Sequence, residues 1–161
     1  GLENADFLRY GVMHRNTYLP SPDLLGADYA MREGDYQGRL YFAGQMTGVE
    51  GYIESTGSGF VAGLNAARRA LGKEAILFPE TTMLGAMAHY ISHGGLVDFV
   101  PMNANFGIIP SLGERVKGGK IAKYEVVAAR ALEAMKEYCV RLNTKNYIKR
   151  MNEETCDEDN R

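Results

Sequence analysis

Between Arg39 and Leu71 a short apolar run, Leu40-Tyr41-Phe42-Ala43, meets a loop punctuated by Gly44, Gly48 and Gly51, and a helical apolar pattern follows. Ile53, Phe60, Val61, Leu64, Ala67 and Leu71 fall near one stripe, which predicts a helix from about Tyr52 to Leu71. The run before the loop suits a buried strand. Such a strand–loop–helix unit aims backbone N–H groups and a helix dipole at one spot, a geometry suited to phosphate or to electron-rich cofactor atoms. The glycines do not form a GxGxxG fingerprint, which needs two of them one residue apart within the turn. On spacing alone the loop reads first as an ordinary tight turn, with cofactor contact as the alternative. Three more glycines, Gly57, Gly59 and Gly63, lie inside the predicted helix. Each costs about 1 kcal/mol relative to Ala. Close approach would offset that cost, so the bare face formed with Ser55, Ser58, Ala62 and Ala66 is expected to pack tightly against another backbone, with Gly59 at its centre.

The other elements follow by the same reasoning. In residues 1–37, Pro20 and Pro22 exclude a helix around Ser21, so turns and short strands are expected. A second helix starts at Thr81 or Thr82 as N-cap and ends before Gly94-Gly95. A third runs from about Lys120 to Leu142, with Tyr124, Val127, Ala128, Ala131, Met135, Tyr138 and Cys139 on its apolar face. No internal repeat is present. At 161 residues the chain is one domain, or one domain plus a piece of another. No apolar run approaches the roughly 18–20 residues needed to span a bilayer, and the start carries no signal-peptide pattern. Two cysteines, Cys139 and Cys156, make no CxxC pair, which favours a reducing, cytoplasmic setting.

The net charge of -2 conceals a strong asymmetry. Residues 114–150 hold ten basic against four acidic side chains, whereas residues 1–113 and 151–161 are acidic. The basic stretch, with Arg115, Lys117, Lys120 and Lys123 at its start, is either a polyanion-binding surface or a solvated helix face. The acidic end, residues 151–161, offers no large apolar group to bury from Asn152 to Asp159 and is expected to be disordered.

Candidate chemistry is sparse. His89 and His93 stand at i and i+4, a metal-ligand spacing, but the glutamate of HExxH is missing and only His14 remains as a further histidine, so no metal is expected. His14, Arg15, Asn16 and Thr17 concentrate hydrogen-bonding capacity in one loop, suiting ligand recognition or capping equally. Asn103 and Asn105, between Met102 and Phe106, read first as a structural loop. Cys139 reads as a small core hydrophobe. No nucleophile–base set can be assembled.

Three segments in order give a family resemblance: Tyr10 to Thr17 (YGVMHRNT), Leu40 to Ser55 (LYFAGQMTGVEGYIES) and Pro101 to Gly107 (PMNANFG). Together they resemble the C-terminal part of the bacterial folate- and FAD-dependent tRNA (uracil-5-)-methyltransferases, and the middle segment is also similar to the GidA-type enzymes that modify the wobble uridine. The resemblance implies an α/β fold: the C-terminal part of a Rossmann-like FAD-binding domain (38–150, with a helical region), preceded by the end of an inserted domain (1–37). It implies FAD, NAD(P)H as reductant, methylenetetrahydrofolate as one-carbon donor and tRNA as substrate. Gly44, Gln45, Gly48, Val49, Glu50, Gly51 and Tyr52 match the segment that closes over the flavin. His14, Arg15, Asn16, Thr17, Asn103 and Asn105 then become candidates for substrate contact, and Arg115, Lys117, Lys120 and Lys123 for tRNA. The family's GxGxxG and catalytic cysteines have no counterpart here, so no catalytic role is carried over. By this likeness the chain is a fragment, inactive alone, whose partners are the missing N-terminal half or a second copy of itself.

Overall fold

The computed structural model describes residues 3–6, 17–93 and 99–158, with only the helical backbone given for 144–158. The chain order is α1 (Ser21–Leu24), a 3-10 turn (Gly44–Thr47), β1 (Val49–Glu50), α2 (Tyr52–Ala70), α3 (Met83–Ser92), β2 (Met102–Asn103) and α4 (Gly119–Glu158). β1 and β2 pair in parallel, Val49 beside Met102 and Glu50 beside Asn103, so α2 and α3 form the crossover between them. The result is mixed α/β but predominantly helical among the described residues.

The core gathers where α2 and α3 cross behind β1. Leu25, Tyr29, Val49, Val61, Ala62, Met87, Ala88 and Ile91 are its buried members. Burying an aliphatic side chain of this size contributes about 1.5–3 kcal/mol. Asn65, buried in α2, acts as a peptide-like clamp. Its Nδ2 donates to the Ile76 carbonyl at 3.0 Å and its Oδ1 accepts from the Ile76 N–H at 2.7 Å. The extended segment after α2 is thereby fixed along the helix without a strand partner. Thr82 caps α3, its Oγ1 accepting from the Gly85 N–H at 3.2 Å. A smaller cluster of Ala86, Ile109 and Val127 joins α3 to α4. Phe78 packs against Tyr138 at 5.9 Å between ring centroids.

Several expectations need correction. α1 forms despite its prolines, because Pro22 lies in the first turn, where its missing N–H would be unpaired anyway. The expected strand at 40–43 is reduced to an isolated antiparallel bridge between Ala30 and Tyr41. The glycine face of α2 divides in two. Gly57 does lie against α3, with a Cβ placed 3.0 Å from Leu84 Cδ2, but Gly59 and Gly63 have nothing within 4 Å. The closest approach is made by Gly85 instead, where an added methyl would collide with the Phe78 and Pro79 carbonyls. α4 continues through Glu158, so the acidic segment 151–158 is helical backbone rather than a disordered tail. Glutamates favour helix, and extending an existing helix avoids the nucleation cost. Cys139, expected in the core, is exposed.

Two predictions follow from this packing. Gly85→Ala should destabilise the chain by about 2 kcal/mol through overpacking, whereas Gly59→Ala should stabilise it by up to about 1 kcal/mol by removing a mid-helix glycine in open space. Urea unfolding of both variants checks the order, and the opposite order would refute the packing assignment. The second concerns Tyr29, fully buried, held at φ 68°, its hydroxyl without a hydrogen-bond partner among the described residues. Burial raises its pKa above the ordinary 10.0. The folded phenol therefore keeps its proton after the unfolded one has ionised, and stability is lost as pH rises above about 10. Tyr29→Phe should flatten that alkaline decline, measured as melting temperature against pH.

Candidate functional site

Three left-handed glycines shape the loop between the Ala30–Tyr41 bridge and α2: Gly44 at φ 66°, Gly48 at 81° and Gly51 at 101°. Side-chain-bearing residues rarely adopt this region. Within the loop, Thr47 Oγ1 donates to the Gly44 carbonyl at 2.8 Å, and the Gly48 N–H donates to the Gln45 carbonyl at 3.0 Å. The small face of α2 supports it from below: Ser58 Oγ accepts from the Gly44 N–H at 2.9 Å. Behind Gly48 stands Phe99, whose ring would lie 2.5 Å from any Cβ there. Phe99 itself contacts Tyr18 and Tyr90.

The loop is latched to the 102–107 segment at two points. Gly48 accepts from the Met102 N–H at 2.9 Å, and Glu54, in the first turn of α2, accepts from the Ala104 N–H at 3.1 Å through Oε1. Two stretches about fifty residues apart in sequence thus share one edge. Gly44, Gly48 and Val49 are buried and Glu50 is half-buried, while Gln45, Met46, Gly51 and Tyr52 are exposed. Tyr52 is 94% exposed and Ile53 83%. No side chain caps the N-terminus of α2 at Gly51, but the Glu54 carboxylate lies over the Gly51 Cα. A second anion such as phosphate is therefore disfavoured at this helix start.

The remaining candidates fall into place unevenly. His14, Arg15 and Asn16 lie outside the described residues, and Thr17 is exposed. Asn103 is exposed at β2 beside Glu50. Asn105 is spent on its own turn, donating to the Asn103 carbonyl at 2.9 Å and accepting from the Gly107 N–H at 2.8 Å. That is the structural-loop reading of the sequence. Arg115, Lys117, Lys120 and Lys123 are all exposed, in and just before the first turn of α4. Other members of the basic stretch are occupied: Arg130 holds the Ser111 and Pro110 carbonyls, and Lys136 pairs with Glu133. His89 and His93 stack on each other at 3.5 Å, with His89 Nδ1 3.1 Å from Glu80 Oε1. Among the described residues no three metal-ligating side chains converge, and no helix is long and apolar enough to cross a membrane.

Sequence reasoning missed Glu54, Ser58, Phe99 and the Phe106–Tyr124 stack. For Glu54 a signal existed, because Gly51 and Glu54 have the Ncap–N3 spacing at which a glutamate reaches back to the helix start. The others act across tertiary contacts that spacing does not encode.

A glycine-shaped loop set at a helix start and latched to a second strand makes the candidate site, and the comparisons give its family. The family model for glucose inhibited division protein A matches residues 1–74. Over 86% of its length the chain is 54% identical to the methylenetetrahydrofolate--tRNA-(uracil-5-)-methyltransferase TrmFO of Ligilactobacillus salivarius, and 55% identical to those of Staphylococcus epidermidis and Streptococcus pneumoniae. In the region it covers, the chain belongs to the TrmFO family. It spans 30–31% of the length of these relatives.

The latch generates a prediction. Glu54→Ala should cost about 1 kcal/mol and speed amide exchange at Ala104, while Glu54→Gln, which keeps an acceptor, should preserve most of the protection. Equal exchange at Ala104 in the native chain and Glu54→Ala would refute the latch.

Proposed function

We propose that this chain forms the flavin-closing and tRNA-facing part of a methylenetetrahydrofolate-dependent tRNA (uracil-5-)-methyltransferase acting in the cytoplasm. The carrying observation is the pairing of β1 with β2, which brings the glycine loop and the Asn103 segment to one edge. FAD, when bound there, would supply the redox chemistry by which a one-carbon unit from methylenetetrahydrofolate reaches C5 of the T-loop uridine, with NAD(P)H as reductant.

The chain's own residues have binding and orienting roles. Gly44, Gly48 and Gly51 leave the loop backbone free of side chains at its three sharpest bends. Gln45 and Tyr52 present an amide and an aromatic face to a ring system, and Val49 and Glu50 hold the loop to Met102 and Asn103. Asn103 offers the exposed amide of this edge for substrate. His14, Arg15, Asn16 and Thr17 remain proposed substrate contacts by family likeness. Arg115, Lys117, Lys120 and Lys123 supply the positive surface for tRNA. The open face of α2, with Gly59, Phe60 and Gly63, is where the remainder of a longer polypeptide would pack; a second copy of the chain is the competing occupant. The GidA match favours one alternative reading, wobble-uridine modification, and the identity of the modified uridine separates the two.

Flavin binding tests the loop. Tyr52→Ala should leave the melting temperature unchanged, because the side chain is almost fully exposed, yet weaken FAD binding about 10-fold by fluorescence titration, as the loss of an aromatic stacking contact would. FAD binding indifferent to this change would remove Tyr52 from the site. For the basic surface, Lys117, Lys120 and Lys123 all changed to Glu should weaken tRNA binding and flatten its dependence on salt.

A further inference from the structure

We infer that Phe106, backed by Tyr124, is a stacking platform for an unpaired RNA base, with Lys120 and Lys123 taking the adjacent phosphates. The inference rests on the tRNA reading above and adds to it a specific contact and a preference for unpaired nucleotides. The two rings lie parallel within 27° at 4.4 Å between centroids, a pile that a base can extend. Phe106 is the outer member, 39% exposed, and Tyr124 the half-buried inner one. The turn that presents Phe106 is rigid, since both ends of the Asn105 amide are bonded within 103–107. Leaving 39% of a phenylalanine exposed at a pre-ordered turn forfeits part of its burial, and base stacking is a use for that surface that ordinary core packing does not supply.

Charge selects the occupant. From 114 to 124, four basic side chains accompany a single acidic one, Glu114. Arg115, Lys117, Lys120 and Lys123 form no ion pair among the described residues. The Lys120 ammonium lies 5.5 Å from the Tyr124 ring centroid, beside the aromatic pile. An aromatic face flanked by cations that make no ion pair among the described residues matches a nucleotide, whose base has a π-face and whose phosphates are anionic. Phenylalanine carries no hydrogen-bonding edge, so the platform tolerates any base and depends on that base being unstacked.

The test uses the full chain with two RNAs of equal phosphate number: a hairpin carrying 2-aminopurine in its loop, and a blunt duplex without unpaired bases. Phe106→Leu keeps the apolar bulk and removes the π-face. It should weaken hairpin binding about 5-fold or more, abolish the quenching of the 2-aminopurine, and leave duplex affinity and the salt slope unchanged. Lys120→Gln with Lys123→Gln should instead weaken both RNAs and reduce the salt slope. Hairpin binding and quenching unaltered by Phe106→Leu, or hairpin and duplex weakened equally, would overturn the platform while leaving the charged surface standing. Failure of the native chain to bind either RNA would overturn the platform and the tRNA reading together.

Discussion

Two residues of parallel pairing, β1 on β2, organise the candidate site. The Gly48 carbonyl and the Met102 N–H meet at 2.9 Å, and Glu54 extends the contact to Ala104. So short a ladder is weak by itself. It holds because each side is anchored elsewhere: Val49 is fully buried in the core, and Phe99 wedges behind Gly48. Glycine at 48 is required twice, for its left-handed backbone and for the space that Phe99 fills. Any side chain there would push the ring away and open the edge on which the two segments meet.

The same economy explains α2. Its inner face uses small polar residues where another helix would use aliphatic ones. Ser58 reaches up to the Gly44 N–H, and Asn65 reaches across to Ile76. These are buried, charge-free hydrogen bonds to backbone groups that would otherwise be orphaned, so they fix loops where a bare apolar contact would let them slide. The outer face carries Ile53, Gly59, Phe60 and Gly63 towards solvent. Two such different faces give one helix an inner side fixed by hydrogen bonds and an outer side with apolar groups open to solvent.

Much of this was legible in the residues. Helical spacing placed α2 and the start of α4, although Ile53, Phe60 and Leu71 of the expected α2 stripe lie exposed, and of the two cap candidates Thr81 and Thr82 it is Thr82 that caps α3. The loop glycines Gly44, Gly48 and Gly51 read as punctuation of the loop, and all three take positive φ. Misreadings arose where tertiary context decided. Gly59 and Gly85 look alike in sequence, yet only Gly85 meets a neighbouring backbone, the carbonyls of Phe78 and Pro79. Pro22 reads as a helix breaker until its place in a first turn is known. Asn105, by contrast, reads first as a structural-loop residue, and both ends of its amide are spent within its own turn. Local spacing reports what a segment can do alone, whereas the site is made by segments about fifty residues apart.

Glu54 is where local and tertiary demands meet most sharply. As a first-turn acid it stabilises the start of α2, and as an acceptor it holds Ala104. Both roles put negative charge at the helix terminus that a dinucleotide fold commonly offers to phosphate. An anion arriving within about 4 Å of this carboxylate would meet a repulsion on the order of 4 kcal/mol at a near-surface dielectric, larger than the 0.3–1 kcal/mol or so that the dipole returns. The loop is thus biased against the phosphate end of a cofactor.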